Sequence, residues 1–280
     1  MASSIFRDGL LDGKLALVTG GGSGIGAAIT RELASLGATV VIAARKQERL
    51  EAAASALSAE LGTSVHPVVM NIRDGEQVQA VIAQIVERYG PIDILVNNGG
   101  GQFLAPAETI TEKGFQAVVD TNLSGTWRVT QAVAKACMLQ RGGRIINITM
   151  LSQRGFPGMA HSVAARAGVE AMTRSLAVEW AQRGVRINSV APGLVASAGL
   201  NNYPKSLGVL DQMPRIVPVK RLARREEIAW LVAYLASPAG DYVTGQTWAV
   251  EGGKDLWGDT WPVPDPPGLG PAVPELESWE

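Results

Sequence analysis

Short apolar runs alternate along the chain with longer stretches in which apolar residues recur every three or four positions. The short runs predict strands over residues 15–18, 39–43, 65–70, 92–97, 144–149, 186–191 and 247–250. The longer stretches predict helices over residues 27–34, 47–59, 77–89, 126–140, 164–183 and 226–236. This alternation predicts a single α/β domain with a doubly wound, mostly parallel sheet and helices on both faces. Ligands of such sheets bind beyond the carboxyl ends of the strands.

A glycine-rich turn stands between the first strand and the first helix. Residues 19–26 read Thr-Gly-Gly-Gly-Ser-Gly-Ile-Gly, and the spacing of Gly22, Gly24 and Ala27 fits a loose dinucleotide fingerprint. Missing side chains let the main chain approach a pyrophosphate, and a helix N-terminus presents unpaired N–H groups to it. We therefore predict cofactor contacts from Gly20, Ser23, Gly24, Ile25 and Gly26.

Two cations follow the second strand, at the point where NAD-binding proteins carry an acidic residue for the adenosine ribose. The chain has Arg45 and Lys46 there. A guanidinium suits a ribose 2′-phosphate because it forms charge-assisted, often bidentate hydrogen bonds. The two cations could instead only solvate the start of the next helix, although a helix start favours acidic residues. We predict NADP(H) as the cofactor.

Composition limits the partners and the compartment. The chain has 280 residues and a formal net charge of -1, which argues against general nucleic-acid binding. One cysteine, Cys137, and two histidines exclude a disulfide framework and a convincing zinc site. The sequence has neither a signal-peptide pattern nor an apolar run of the ~20 residues needed to cross a bilayer. We expect a cytoplasmic protein with a small-molecule substrate and no metal, nucleic-acid or membrane partner.

Several separated motifs resemble those of the short-chain dehydrogenase/reductase family over essentially all of residues 12–254. In chain order they are the turn at 19–26, Asn97-Asn98-Gly99-Gly100, Asn122 in Asp120-Thr121-Asn122, Pro192-Gly193 and Glu251-Gly252-Gly253. Residues 97–103 and 160–168 look most similar to the peroxisomal trans-2-enoyl-CoA and 2,4-dienoyl-CoA reductases of that family. The resemblance implies a Rossmann fold over residues 1–254, with a substrate loop at 194–217. It also implies cofactor contacts from Asn71, Ile72, Asn98, Gly99, Arg166, Pro192, Gly193 and Val195.

The resemblance breaks where the catalytic residues of the family stand. Its usual set is Asn, Ser, Tyr and Lys, in which the tyrosine gives a proton to a carbonyl oxygen. The matching positions here are Asn122, Thr149, Ser162 and Arg166. An arginine can still hydrogen-bond ribose hydroxyls, but an aliphatic hydroxyl is a far weaker acid than a phenol of pKa ~10. Ordinary ketone or alcohol chemistry is therefore disfavoured.

Reduction of an activated carbon–carbon double bond makes a smaller demand on an acid. Hydride adds to the β-carbon of an enoyl thioester, and hydrogen-bond donors can stabilise the charge that develops on the thioester oxygen. Thr149, Ser162 and Gln102 are placed to be those donors, and Phe103 is placed beside the substrate. Water or a more acidic side chain would protonate the α-carbon. We expect NADPH-dependent reduction of a trans-2-enoyl thioester or a similarly activated alkene.

Three other functions stay open at this point. The first is an atypical carbonyl reductase whose acid is His161, beside the lost tyrosine, or Tyr203, in the substrate loop. The second is a biosynthetic enzyme that reduces an imine or iminium or templates a cyclisation, since an iminium needs no proton donor. The third is a redox-inactive, cofactor-binding scaffold or sensor.

The surface carries three further features. The family resemblance implies a homotetramer or homodimer formed by two helices, whose apolar residues exceed what one sheet face needs. Those residues are Val129, Val133, Cys137, Ala164, Ala165, Ala167, Val169, Met172 and Leu176. A cationic stretch could meet the phosphates of coenzyme A or could equally be an ion-paired surface: Arg215, Lys220, Arg221, Arg224 and Arg225. The Pro-rich and Trp-rich tail, residues 255–280, is expected to dock on a surface such as that of a neighbouring subunit.

Overall fold

A computed structural model describes residues 3, 5–197, 200, 212–258 and 261–269. In this part of the chain seven strands form one sheet with the order β3-β2-β1-β4-β5-β6-β7, and every neighbouring pair is parallel. The strands are β1 (Leu15–Thr19), β2 (Thr39–Ala44), β3 (Val65–Val69), β4 (Ile94–Asn97), β5 (Gly143–Ile148), β6 (Val185–Pro192) and β7 (Thr247–Val250). The predicted doubly wound α/β fold is confirmed.

Helices connect the strands and cover both faces of the sheet. They are α1 (Gly24–Ser35), α2 (Gln47–Leu61), α3 (Gly75–Tyr89), α4 (Glu112–Val119), α5 (Gly125–Val133), α6 (Leu139–Arg141), α7 (Ala160–Trp180) and α8 (Arg225–Ala236). Short 3₁₀ turns span Ala107–Thr109, Ala181–Arg183 and Pro238–Gly240, and π-helical turns span Asp120–Ser124 and Ala134–Met138. No helix of the described residues combines the length and apolar character needed to cross a membrane.

Two apolar layers hold the helices on the sheet, one on each face. Side chains alternate between the faces of a strand, so Ala16 and Val18 face α1, α2 and α8, while Leu15 and Leu17 face α3, α5 and α7. Each fully buried large aliphatic side chain contributes about 1.5–3 kcal/mol relative to exposure. The sheet is therefore a rigid base for the groups at its edge.

The strand register brings the carboxyl ends of the central strands to one edge. Thr19 at the end of β1 pairs with Asn97 at the end of β4, and Asn97 pairs with Asn147 in β5. The chain winds from β1 toward β3 on one side and from β4 toward β7 on the other. The edge between β1 and β4 is thus the topological switch point, where such sheets bind ligands.

The helical connection between β4 and β5 differs from the prediction. One helix was expected over 126–140, whereas α4 precedes it and two π-helical turns interrupt the helical path. Of the α4 side chains only Val118 is buried, which explains the weak apolar periodicity there. Each π turn accommodates one extra residue, and such turns often occur at functional sites.

Candidate active site

The glycine turn has the backbone that a phosphate site needs. Gly20 and Gly24 have φ values of +66° and +53°, a region that favours glycine. A Cβ at Gly26 would collide with the Gly20 carbonyl and the Asn98 amide, and Asn98 Nδ2 donates to the Gly20 carbonyl at 3.2 Å. Ser23 precedes α1 without capping it through its side chain. The N–H groups of the first turn of α1 are therefore left for a ligand.

A cavity of about 420 Å³ opens beside this turn and has a cationic side. Arg45 and Lys46, the cations that the sequence predicts to bind the cofactor, line it, and Arg49, one turn into α2, lines it as well. None of these three cations forms an ion pair with a described residue. Arg49 was missed because it lies inside the helix, although its spacing of four positions from Arg45 places both at the same helix end. Other predicted cofactor residues line the same cavity: Gly20, Ser23, Asn71, Ile72 and Gly99.

A second cavity, of about 580 Å³, is mainly apolar. Met150, Phe156 and Met213 are among its apolar lining residues, and Gln102 supplies a polar group. Four residues predicted to contact the cofactor lie in this second cavity: Ile25, Pro192, Gly193 and Val195. A cavity of this size and polarity is typical of a small-molecule site.

Ser162 lies behind Gln102 and does not line the second cavity. Its side chain is fully buried, and its Oγ donates to Gln102 Oε1 at 2.8 Å and lies 3.4 Å from Met150 Sδ. Gln102 itself is exposed to the cavity. Because its oxygen accepts from Ser162, the carboxamide N–H groups of Gln102 are the end left for a ligand oxygen.

Asn122 holds the loop that carries Gln102. It is fully buried in the π-helical turn Asp120–Ser124. Its Nδ2 donates to the Gly101 carbonyl at 2.7 Å, and its Oδ1 accepts from the Gly101 N–H at 3.1 Å. This paired contact fixes the main chain one residue before Gln102.

Arg166 is a buried cation with free donors. Its side chain is only 8% exposed, and its Nη1 donates to the Ile148 carbonyl at 2.6 Å. Among the described residues its Nε has no hydrogen-bond partner and the guanidinium has no ion pair. Burial lowers the pKa of Arg166 to about 10, so the group still carries its charge at neutral pH. The Arg166 guanidinium and the Asn122 carboxamide both lie next to Gly100, and a Cβ at Gly100 would overlap Arg166 Nη2 and Asn122 Oδ1.

A carboxyl group that the sequence reasoning missed lies next to Thr149. Thr149 Oγ1 lies 3.2 Å from Glu170 Oε1 and 3.3 Å from the Val190 carbonyl oxygen, and its one hydroxyl hydrogen can be donated to either acceptor. Burial raises the pKa of the Glu170 carboxyl, although the hydrogen bonds from Thr149 and Ser152 oppose that rise. Glu170 lies one helical turn after Arg166 on α7, and this spacing is the signal that could have indicated it.

His161 packs at the start of α7 and contacts its main chain. Its Nδ1 accepts the N–H of Ser162 at 2.8 Å and so satisfies a donor in the first turn of α7. The imidazole is fully buried edge-on to Phe103, with ring centroids 4.3 Å apart, and Nε2 has no hydrogen-bond partner among the described residues. Neither ring belongs to the lining of the two cavities. Tyr203 lies outside the described residues.

The cationic stretch is engaged within the chain. Arg215 and Lys220 pair with Asp265, and Arg221 pairs with Glu227. Arg224 lies over the Trp230 ring at 5.3 Å from its centroid. These contacts support the interpretation of an ion-paired surface. They also place part of the tail on its own chain.

The residues fit a nicotinamide dinucleotide. The turn requires glycine at Gly21 and Gly26, because a Cβ at Gly21 would come within 2.8 Å of Thr30 Oγ1 and one at Gly26 would overlap the Gly20 carbonyl. Of the four cations that line the first cavity, Arg73 pairs with Asp120, and the other three, Arg45, Lys46 and Arg49, suit a phosphate at the adenosine end. The unpaired donors of Arg166 suit the hydroxyls of a ribose.

Comparisons with known proteins agree with this geometry. A family model described as enoyl-(acyl carrier protein) reductase matches residues 20–255. The peroxisomal 2,4-dienoyl-CoA reductase of Rattus norvegicus is 40% identical over 254 residues, covering 89% of this chain and 86% of the relative. A solved citronellol catabolism dehydrogenase from Pseudomonas aeruginosa PAO1 is 42% identical with a TM-score of 0.80, covering 90% of this chain and 98% of that one. A gluconate 5-dehydrogenase from Burkholderia cenocepacia J2315, solved with NADP and tartrate, has a TM-score of 0.84 and 35% identity over 89% of this chain and 98% of that one.

The fold and the site define an oxidoreductase that takes a nicotinamide cofactor. The chain belongs to the short-chain dehydrogenase/reductase family. Within that family it is similar to peroxisomal 2,4-dienoyl-CoA reductases, at about 40% identity. The predicted family, fold and class of enzyme are thereby confirmed.

Proposed function

We propose that the chain uses NADPH to reduce an activated carbon–carbon double bond in an acyl thioester. The observation that carries this proposal is the Gln102 carboxamide, which accepts a hydrogen bond from Ser162 and lines the apolar cavity. Ser162 is the residue that the sequence alignment matches to the tyrosine of the family. Such a site offers hydrogen bonds to an oxygen but no phenol to protonate it. The names of the similar proteins, which include dienoyl-CoA and enoyl reductases, support the substrate class.

NADPH supplies a hydride when it is bound. Arg45 and Lys46, together with Arg49, hold the 2′-phosphate, and the first turn of α1 holds the pyrophosphate. Arg166 donates to the ribose from its buried position behind Gly100. Because its charge has no carboxylate partner among the described residues, it also stabilises negative charge that develops nearby.

Gln102 binds the thioester oxygen. As the β-carbon accepts hydride, charge moves onto this oxygen, and a fixed donor stabilises it more strongly than it stabilises the substrate. One such donor is worth about 10²–10³ in rate. Asn122 and Ser162 keep the donor in place, because they fix the loop and the carboxamide respectively.

Glu170 is the proton source that we propose for the α-carbon. Its pKa is raised by burial, so it keeps a proton closer to neutrality than an exposed glutamate does. Thr149 and Ser152 hydrogen-bond its carboxyl group, and Met150 and Leu151, which lie between them in the sequence, line the second cavity. A bound water can complete the path, which leaves the overall step as hydride to the β-carbon and a proton to the α-carbon.

Turnover of NADPH with a panel of acceptors tests the proposal. The panel contains crotonyl and 2,4-hexadienoyl thioesters, acetoacetyl thioester, a simple ketone and a cyclic imine. We expect oxidation of NADPH with the first two acceptors and at most slow oxidation with the others. Turnover of the ketones alone would favour the carbonyl-reductase alternative, and turnover of the imine alone would favour the biosynthetic one. NADPH binding without any turnover would favour the scaffold.

A further inference from the structure

The C-terminal segment, defined here as residues 254–258 and 261–269, contributes directly to the second cavity. Lys254 and Asp255 line it. Arg154, which also lines the cavity, donates a hydrogen bond to the Trp257 carbonyl. The Trp257 indole N–H donates in turn to the Trp261 carbonyl at 2.8 Å. The C-terminal segment therefore forms part of the cavity wall, beginning at its first residue, Lys254.

The same segment is bound to a second element of the cavity, the outer wall, defined here as residues 212–222. Met213 and Ile216 of the outer wall line the cavity. Asp265 pairs with Arg215 and with Lys220, the latter at 3.0 Å. The C-terminal segment thus joins the outer wall to the loop that contains Arg154.

Lys220 is the centre of this junction. Its side chain is only 8% exposed, and its Nζ donates to the Arg215 carbonyl at 2.8 Å as well as to Asp265. The ammonium lies 5.1 Å from the centroid of the Trp257 ring, within cation–π range. Its φ of +57° makes it the one non-glycine residue with positive φ in the described chain. A lysine in a conformation that favours glycine indicates that the side-chain contacts hold it there.

The backbone just before the C-terminal segment has a conformation that lets it approach the outer wall closely. Gly252 and Gly253 have φ values of +65° and +83°. A Cβ at Gly252 would come within 2.7 Å of the Val217 side chain, and one at Gly253 would come within 3.2 Å of Pro218. The end of β7 is therefore turned directly onto the outer wall.

We propose that Lys220 holds the C-terminal segment against the outer wall, and that the segment so held limits the bulk of the acyl group that the second cavity accepts. The second half of this inference rests on the proposed reduction of an acyl thioester. Lys220 and Asp265 act as positioning residues, since neither lines the cavity itself. The restriction acts on substrate size and leaves the reacting groups around Gln102 unchanged.

Two variants and one matched control test it. Lys220→Gly removes the ammonium and suits the positive φ, so the fold is expected to persist; Asp265→Asn removes the partner charge. Arg221→Gln is the control, because it deletes the neighbouring ion pair with Glu227, which does not involve the C-terminal segment. Hydrogen exchange of the main-chain amides at 254–258 reports the contact without any substrate. The ratio of kcat/KM for cinnamoyl thioester to kcat/KM for crotonyl thioester reports the size limit.

We expect exchange at least tenfold faster and a kcat/KM ratio at least tenfold higher in both variants, with neither changed in the control. Unchanged exchange overturns the anchoring role of Lys220. Faster exchange with an unchanged ratio overturns the role in substrate size. If the unmodified protein reduces no thioester, the proposed function fails, and faster exchange in the two variants still supports the anchoring.

Discussion

At the residue scale, the position of Ser162 behind Gln102 leads to a graded prediction. Ser162→Ala leaves the carboxamide in place but frees its oxygen, so kcat/KM should fall by about 10-fold and at most ~10². Gln102→Ala removes the donor and should cost about 10²–10³. Steady-state kinetics with crotonyl thioester measure both. Ser175→Ala, an exposed serine on the same helix, is the control. A loss with Ser162→Ala that exceeds the loss with Gln102→Ala would show that the hydroxyl acts on substrate directly.

The cations of the nucleotide cavity predict the choice of cofactor. Each lost charged hydrogen bond to a phosphate costs about 1.5–3 kcal/mol, or one to two decades in affinity. Arg45→Ala should therefore weaken NADPH by about 10- to 100-fold and leave NADH nearly unchanged. Arg49→Ala should act in the same direction, and Arg88→Ala, on the distant helix α3, should not. Fluorescence titration of both cofactors measures this. Equal losses for the two cofactors would contradict the assignment.

Glu170 predicts a pH dependence of stability. Burial raises its pKa above the ordinary 4.5, so the folded chain binds the proton more tightly than the unfolded chain. The stability gained in this way is complete below pH 4.5 and is lost as the pH rises through the raised pKa. The Glu170→Gln variant has no carboxyl group to titrate at this position. Its free energy of unfolding, compared with that of the unmodified protein at the same pH, should therefore rise between pH 4 and pH 7. Urea midpoints at several pH values measure it, with Glu179→Gln as the exposed control on α7. If the difference in urea midpoint between Glu170→Gln and the unmodified protein does not change with pH, the raised pKa of Glu170 is contradicted.

What the sequence could predict at this scale depends on how local the signal is. The glycine turn and Arg45 could be predicted because their role follows from a strand, a turn and a helix that are consecutive. The role of Ser162 could not, because its partner Gln102 lies 60 positions away. Glu170 was missed for the same reason, since its contact with Thr149 depends on how α7 packs on β5 and β6.

At the element scale, a buried polar ladder ties the sheet to two helices. Asn97 Nδ2 donates to Asn147 Oδ1 at 2.8 Å and to Thr130 Oγ1 of α5 at 2.9 Å. Asn147 Nδ2 donates to Thr173 Oγ1 of α7 at 2.9 Å, and Thr173 contacts Ser189 of β6. Buried polar groups are costly only when they lose their partners. The ladder therefore stabilises the stacking of α5 and α7 at the strand ends that carry the site.

A substitution within this ladder should lower the free energy of unfolding more than an apolar substitution at a similarly buried position. Asn147→Leu removes one hydrogen bond from the Asn97 amide, which keeps Thr130, and one from the Thr173 hydroxyl, which keeps Ser189. The Asn97 N–H that loses its acceptor stays buried, and we expect a loss of about 2–4 kcal/mol in the free energy of unfolding. Ile146→Val, one residue earlier in β5, should cost about 0.5–1.5 kcal/mol. Urea unfolding compares the two. A smaller loss for Asn147→Leu than for Ile146→Val would show that the ladder contributes little.

The central strands β1, β2 and β4 could be predicted from the sequence because each is a short, almost fully buried apolar run. The edge strands β3 and β7 are partly exposed and have a weaker apolar pattern. The π-helical turn at 120–124 could not be predicted, because the helical period of apolar residues differs little between α and π geometry over five residues. That turn is what brings Asn122 onto Gly101. The sequence thus predicts the strands that carry the site, but it does not predict the π-helical turn that brings Asn122 into the site.

At the scale of the whole molecule, most of the apolar residues expected to form a subunit contact are already buried within the chain. Six of the nine residues are buried in it: Val129, Val133, Cys137, Ala165, Val169 and Leu176. Val129, Val133, Cys137 and Leu176 pack in the apolar layer on one face of the sheet. The apolar character of the six buried residues by itself therefore does not require a second copy. Phe115 and Trp127, at 40% and 38% exposure, are the large apolar residues left uncovered on α4 and α5.

The expected homo-oligomer therefore depends on those two exposed aromatic residues. Closed symmetric assembly is the usual way in which such surfaces are covered. We expect light scattering at micromolar concentration to give a mass of two or four chains of 29.4 kDa. Trp127→Lys should lower that mass, because it places a charge in the contact, whereas Ile5→Lys, at an exposed position near the N-terminus, should not. If the unmodified protein has the mass of one chain, the exposed aromatic residues of α4 and α5 must be tolerated in water, and the contact inferred from them is wrong.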